Sequence, residues 1–317
     1  MRPSVAKLLY LSIMRLRDTF NIYINNVMSY ASHDTILYYE NCLKIFNHYL
    51  DITNFNLNKN VKDIDRTLLV DFVVFLRTLN ISNTSVRTYV RGIKAYFKFL
   101  YYEGYMNEDI TQRLKLPKAD DSQKIPLSYF QVKILDEFLA EKKRYRDLCI
   151  IHLMLDCGLR LQEVIALNVD NIRYDYHINY GFVSIMNSKG NKSRLVPLPA
   201  SLYHLIQQYI SSDNIKTILF PSANGRITSS GIKTMFSRLK TVVPGIHAHL
   251  LRHTFATSFI MGGGNLENLR VLMGHSSYAV TQNYIKLATE LSLVSFDIYK
   301  IDDVFFKSYD YHKRVST

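Results

Sequence analysis

The chain has 317 residues, 48% of them hydrophobic, and a formal charge of +12 from 39 lysines and arginines against 27 acids. That length favours about two domains over a single core, and the apolar fraction excludes disorder as the main state. The charge favours an anionic partner such as nucleic acid, although a solvated basic surface has the same composition. Cys42, Cys149 and Cys157 are scattered and form no C-x-x-C pair, which argues against a disulfide framework and a zinc knuckle.

The apolar stretch 8–14 is followed by Arg15-Leu16-Arg17 and has no small-residue cleavage site, so it reads as a helix start and not a signal peptide. No apolar run approaches a membrane span, and the expected setting is a reducing, cytoplasmic one. Ser32-His33-Asp34-Thr35 offers helix caps, after which Ile36, Tyr39, Leu43, Phe46 and Leu50 keep helical spacing. A second helix is expected from about Thr67, with Leu68, Leu69, Phe72 and Leu76 as its stripe. A third begins near Asn83 and buries Val86, Tyr89, Val90, Ile93, Phe97 and Leu100. Beside that stripe Arg87, Arg91, Lys94 and Lys98 share one face, with no acid between the first and the last. Solvated faces normally mix signs, so a row of four cations suits a DNA backbone.

The stretch 116–126 holds two prolines, several charges and few apolar residues, and it reads as a linker. Two helices follow, near 128–141 and 146–157. Gly158 breaks the pattern, and a short helix covers 161–167. The runs 181–187 and 193–198 are β-rich, and Ser188-Lys189-Gly190-Asn191-Lys192 between them has the composition of a tight hairpin turn. From Ala200 onward the pattern is again helical, interrupted at Gly262-Gly263-Gly264. No internal repeat or low-complexity tract occurs.

Four segments of the second half carry chemistry. Arg160 opens a short helix after Gly158-Leu159, with Glu163 three residues on. Lys189 sits in the hairpin turn. His249 and Arg252 lie one helical turn apart, followed by His253. Gly274-His275-Ser276-Ser277 precedes Tyr284. These are the groups that phosphoryl transfer to a protein hydroxyl requires. Two arginines clamp the charge on non-bridging oxygens, and a tyrosine attacks once its proton can leave. A lysine protonates the departing oxygen, and histidines donate hydrogen bonds or accept the tyrosine proton. Singly, each has an ordinary structural explanation: a surface arginine, an exposed turn lysine, a packed tyrosine, capping histidines, a solvated acid. Their co-occurrence in order is what gives weight to the chemical reading. The histidine spacing fits no metal motif, and the chemistry requires no metal, cofactor or ATP.

That order, Gly158-Leu159-Arg160-x-x-Glu163, Lys189, His249-x-x-Arg252-His253, Gly274-His275-Ser276-Ser277 and Tyr284, resembles the tyrosine recombinase (phage integrase) family, Xer-like in its simple anatomy. The resemblance spans about 128–285, and the helices before the linker resemble that family's core-binding domain. It implies that Arg160 and Arg252 clamp the phosphate, Lys189 is the general acid and Tyr284 the nucleophile. His249 becomes the base or a phosphate ligand and His275 the second histidine contact, with Glu163 and His253 in support. DNA contacts fall to Arg87, Arg91, Lys94, Lys98 and Lys192. Cys157, Gln162 and Met273 depart from the residues common in the family, without removing a chemical group.

The expected architecture is therefore mainly α. A SAM-like helical-bundle core-binding domain (1–116) and a linker (117–126) precede a mostly helical catalytic domain with a small antiparallel β-sheet and a C-terminal docking tail (127–317). By resemblance, four protomers, or this chain with a related recombinase partner, act on duplex DNA bearing inverted-repeat half-sites through a Holliday junction. The setting implied is a bacterial cytoplasm, on the nucleoid when bound. About 20 to 25 residues precede the first domain, too few for a separate arm-binding domain. Two rivals remain, a type IB topoisomerase, which uses nearly the same chemistry but relaxes supercoils without partner sites, and a non-catalytic DNA-binding descendant of the fold. The first is disfavoured by Gly274-His275-Ser276-Ser277 and the long tail, the second by the filled catalytic positions. After Tyr284, residues Leu291, Val294, Ile298, Ile301 and Phe305 keep helical spacing, flanked by Leu293, Phe296, Val304 and Phe306. That stripe must be buried on this protomer or on a neighbour.

Overall fold

The computed structural model describes residues 14–118, 125–177, 179–186, 193–275, 277–294 and 297–299. Its contacts divide the chain into two compact units, 1–122 and 123–317. The architecture is mainly α with a small antiparallel sheet. Among the described residues, no helix is long and apolar enough to cross a membrane.

The first unit is built on α1 (Leu16–Met28), α2 (His33–Ile52), α3 (Arg66–Thr78) and α4 (Asn83–Tyr102). Helix α1 corrects the expectation that some 20 to 25 residues lie ahead of this domain, because Leu16, Thr19, Tyr23 and Val27 are buried in its core. A threonine and a tyrosine in the stripe hide it from an apolar count, yet the Thr19 and Tyr96 hydroxyls hydrogen-bond each other inside the core. Phe46 of α2 fills the centre. It meets Phe72 and Phe97 edge-on at 5.0 and 5.8 Å, the geometry the aromatic quadrupole favours. Helices α3 and α4 start where Asp65 and Ser82 accept hydrogen bonds from Thr67 N and Ser85 N. Ser32, immediately before α2, behaves differently: its hydroxyl pairs with that of Thr35 and caps no backbone N–H.

In the second unit, a capping box of Ser128 and Gln131 opens α5 (Tyr129–Glu141). Helix α6 (Tyr145–Leu155) is buried on nearly every face from Leu148 to Leu155, and a short α7 (Leu161–Ala166) follows. Strands β1 (Ile172–Asp175), β2 (Tyr180–Ile185) and β3 (Arg194–Leu198) form an antiparallel sheet in that order, with Val183 opposite both Ile172 and Val196. The sequence pattern missed β1, which is four residues long with only Ile172 fully buried. It also missed the two-residue strands β4 (Pro221–Ser222) and β5 (Gly225–Arg226) within the region read as helical. The helices there are α8 (Ala200–Ser212), α9 (Ser229–Leu239), α10 (Ala248–Met261), α11 (Leu266–Met273) and α12 (Tyr278–Leu293). Helix α10 packs against α6 and α12 and carries the site's buried arginine.

The tail departs from the expected helical stripe. Helix α12 stops at Leu293, and Leu293 and Val294 are 81% and 70% exposed. Ile298 is buried instead in an extended segment, bridged antiparallel to Ser128 of the same chain. Tyr129 N donates to Asp297 O at 3.0 Å and Tyr299 N to Leu127 O at 3.2 Å. Phe296, Ile301, Val304, Phe305 and Phe306 lie outside the described residues.

Candidate active site

The site is assembled on two glycine turns. Gly158 follows α6 in a left-handed conformation (φ +62°), and a Cβ there would lie 2.4 Å from the Phe255 ring, so only glycine lets the chain turn against α10. Two residues on, Arg160 leads into α7. Glu163 in the first turn of that helix reaches back, its Oε2 accepting from Arg160 N at 2.8 Å and its Oε1 from Arg160 Nη1 at 2.9 Å. The second turn ends α11 at Gly274 (φ +58°), where a Cβ would come within 3.1 Å of both Arg160 and Arg194.

Three successive carbonyls at this second turn each accept from a different arginine. Arg194 Nε holds Leu272 O at 2.7 Å, Arg252 Nη2 holds Met273 O at 2.6 Å and Arg160 Nη2 holds Gly274 O at 2.6 Å. Cations at a helix C-terminus also oppose the negative end of its dipole. Arg252, buried on α10, grips the first turn too by donating to Gly158 O. Arg194 places both Nη groups on Glu163, at 2.9 and 2.8 Å. Two guanidinium groups thus sit on one carboxylate, and the third, Arg252, feels its charge.

The electrostatics follow from that crowding. Burial and the neighbouring Arg160 push Arg252 down to about 9. Burial alone would raise Glu163, but hydrogen bonds and charge from Arg194 and Arg160 hold it below its ordinary range. Burial and the positive field of Arg252, Arg160 and Arg194 bring His275 down to about 4. His275 Nε2 lies 3.2 Å from Arg252 Nη2. A guanidinium only donates, so Nε2 accepts and Nδ1–H donates to Thr281 Oγ1 at 3.0 Å. The histidine is neutral with a fixed tautomer.

Tyr284 on α12 is buried at 8% exposure, its ring 5.3 Å from that of His253. Burial raises its hydroxyl above the ordinary phenol value, and Arg252 pulls it partly back. His249 stands exposed one turn before Arg252, near enough to add to the field on His275. Strands β2 and β3 pair with Ile185 opposite Arg194. Lys189 and Lys192, between them in the chain, lie outside the described residues. The structure therefore brings together Arg160, Glu163, Arg252, His275 and Tyr284, with His249 and His253 beside them. Among the described residues no group of histidine, cysteine, aspartate or glutamate side chains is placed to hold a metal ion.

The basic face of α4 divides in two. Arg87 Nη1 donates to Pro117 O at 2.8 Å and Lys94 Nζ to Leu114 O at 2.9 Å, so both tie the end of the first unit down. Burial and the nearby Lys98 lower Lys94. Arg91 and Lys98 are exposed.

Nothing in the sequence pattern distinguishes Arg194 from an ordinary strand residue. The pattern also hides a buried network away from the arginines. His152 of α6 lies between Asp136 (2.9 Å) and Asp156 (2.8 Å), and Tyr299 donates to the other Asp156 oxygen at 2.8 Å. Burial would lower His152, but the two carboxylates prevail and raise it to about 10. Only the i,i+4 spacing of His152 and Asp156 was a signal in the sequence.

The phage integrase family pattern matches residues 127–290, and the phage integrase SAM-like domain matches 15–116. The tyrosine recombinase XerD of Listeria monocytogenes is 27% identical over 286 residues, covering 85% of this chain and 92% of that protein. The XerD of Oceanobacillus iheyensis is 30% identical over 240 residues, covering 70% and 77%. Among solved structures, the Tn1549 transposon integrase in complex with a circular intermediate DNA superposes with a TM-score of 0.68 at 19% identity, over 89% of this chain and 99% of that one. XerH bound to its difH substrate gives the same score and identity over 84% and 80%. The chain belongs to the phage integrase family and is a site-specific tyrosine recombinase, an enzyme that cleaves and rejoins DNA strands. Within that class it is Xer-like.

Proposed function

We propose that Tyr284 attacks a phosphodiester held by Arg160 and Arg252, forming a 3′-phosphotyrosyl bond as the P–O5′ bond breaks. The observation that carries this reading is the placing of two guanidinium groups on adjacent carbonyls of one turn, with the Tyr284 hydroxyl in the field of Arg252. Fixed donors of this kind stabilise charge as it develops on the non-bridging oxygens. Burial keeps Tyr284 protonated at rest, so its proton leaves as attack proceeds, with His249 as acceptor. Lys189 protonates the departing 5′-oxygen. His275, neutral and anchored on Thr281, orients Arg252 and lies beside the phosphate; Glu163 and His253 support the arginines and the tyrosine. A strand's 5′-hydroxyl reverses the reaction, and because the bond energy is kept in the phosphotyrosine, rejoining draws on no ATP.

In this reading the first domain (1–116) holds DNA through Arg91 and Lys98, with Arg87 and Lys94 shaping the surface, and Lys192 adds a contact from the second. The charge of +12 supports a duplex DNA partner, as do the DNA-bound states of the solved neighbours. Inverted-repeat half-sites, a tetramer of this chain or of this chain with a related recombinase, and action in the cytoplasm complete the proposal. The task is Xer-type recombination or the integration and excision of a mobile element.

The test is a library of nicked duplexes with a randomised central sequence, on which release of the short strand traps the adduct. Wild-type protein should become attached to a 3′ end and enrich a discrete site. The Tyr284→Phe variant should bind that site equally and attach nothing. An adduct formed by the phenylalanine variant would assign the nucleophile elsewhere.

A further inference from the structure

We propose that Arg194 is a positioning residue: by neutralising Glu163 it leaves the Arg160 guanidinium its full charge for the scissile phosphate. The proposal rests on the functional reading above and extends it to a residue outside the sequence motifs that suggested that reading.

The stoichiometry of charge carries the argument. Glu163 is the carboxylate that both Arg160 and Arg194 touch, and it touches Arg160 twice, through the backbone N–H and through Nη1. Were Arg160 its only partner, the pair would be neutral and the guanidinium would be committed to the carboxylate. Arg194 changes the count by covering both carboxylate oxygens at 2.9 and 2.8 Å. Two arginines on one acid leave a surplus positive charge, and Arg194 is the partner with less freedom to use it. Its side chain is 8% exposed, against 39% for Arg160, so the accessible charge is that of Arg160.

Arg194 is also fixed in a way that lets it serve as a reference point. It opens β3 in register with Ile185, and its Nε holds Leu272 O, the first of the three carbonyls at the α11 turn. One planar fork therefore joins the sheet, the carboxylate of α7 and the turn that bears His275. A lysine in its place has one ammonium and cannot span the carboxylate and the carbonyl together. A purely structural buried pair would be replaceable by apolar packing with little loss. The present role is not, because removing Arg194 returns Glu163 to Arg160.

That difference gives a test by suppression. Single-turnover cleavage of the duplex recovered from the nicked library is measured for wild type, Arg194→Met, Glu163→Gln and the double variant. Arg194→Met should bind the duplex with near wild-type affinity and cleave it roughly 10²-fold more slowly, as expected when one fixed charge contribution is lost. Adding Glu163→Gln should return at least about tenfold of that rate, because a neutral amide no longer competes for Arg160. A double variant as slow as Arg194→Met, or slower, would show that Arg194 only packs, and would overturn the proposal. So would Arg194→Met cleaving at the wild-type rate. If the methionine variant does not fold, Arg194→Lys should cleave faster than Arg194→Gln because it keeps the charge, and equal rates would overturn the proposal. Absence of any wild-type adduct overturns the functional reading and this inference together, whereas a normal wild-type adduct with an unaffected Arg194→Met variant overturns this inference alone.

Discussion

The two units use arginine and lysine in opposite ways. In the first, four cations stand in a row along α4, two exposed and two turned onto the chain's own carbonyls. In the second, three arginines, preceding α7 and on β3 and α10, converge around one carboxylate and one helix end. A row suits a backbone with regularly spaced charge, where each contact adds independently. A convergent cluster concentrates field on one atom and depends on every member for its geometry. The first arrangement should therefore govern affinity and the second the rate of bond breaking.

The sharpest contrast is expected at Lys189, proposed above as the general acid. Lys189→Ala should slow cleavage by roughly 10²- to 10⁴-fold with site affinity unchanged, and a 5′-thio leaving group, which needs no proton, should restore most of the rate. Lack of rescue would move the acid role elsewhere, with Lys192 the nearest candidate. Next in size is Arg252→Lys, which keeps a charge but loses the fork that spans Gly158 and Met273. Cleavage should fall by roughly 10²-fold in single-turnover assays while binding holds. If affinity fell in step with the rate, the arginine cluster would set affinity as well as bond breaking, and the division would fail.

The reverse pattern is expected on α4. Arg91→Gln and Lys98→Gln should each make the log-log salt dependence of binding shallower by about 0.9, with cleavage of bound DNA unaltered. Arg87→Met and Lys94→Met should leave that slope alone and instead lower the unit's stability by roughly 1 kcal/mol each, read in urea melts, because each leaves a carbonyl without its donor. Should all four behave alike, α4 would be a uniform face.

A further prediction concerns stability against pH and leaves the division between affinity and rate untouched. His152 titrates near its ordinary value of about 6.5 when unfolded and at about 10 when folded, so its contribution is complete below pH 6.5 and fades as pH rises toward 10. Melting temperature should decline across that window, and His152→Gln should flatten the decline. His275 has the opposite sign, about 4 when folded, so its contribution is lost as pH falls from about 6.5.

Much of this was legible in the sequence where the signal is local. Helical stripes marked α2, α3 and α4, and the spacing of Arg160 and Glu163, or of His249 and Arg252, already placed each pair within one turn. What stayed hidden depends on distant approach. Arg194 meets Glu163 across 31 residues and Leu272 across 78, and nothing in a five-residue strand marks the arginine as the one turned inward. Tyr299 reaches Asp156 across 143 residues, a contact that the helical spacing of the tail's apolar residues does not reveal. Helix α1 is hidden for another reason: Thr19 and Tyr23 interrupt its apolar stripe, and the partner of the Thr19 hydroxyl, Tyr96, lies 77 residues away.

Which atom takes the phosphate decides whether Tyr284 is the nucleophile. Digesting the trapped adduct with trypsin yields a peptide of residues 271–286, between Arg270 and Lys286, which holds both Tyr278 and Tyr284. Tyr278 is the more exposed, and Tyr284 is the one buried within the field of Arg252. Fragmentation by mass spectrometry should place the nucleotide on Tyr284. A nucleotide on Tyr278, or on any peptide outside 271–286, would contradict the assignment.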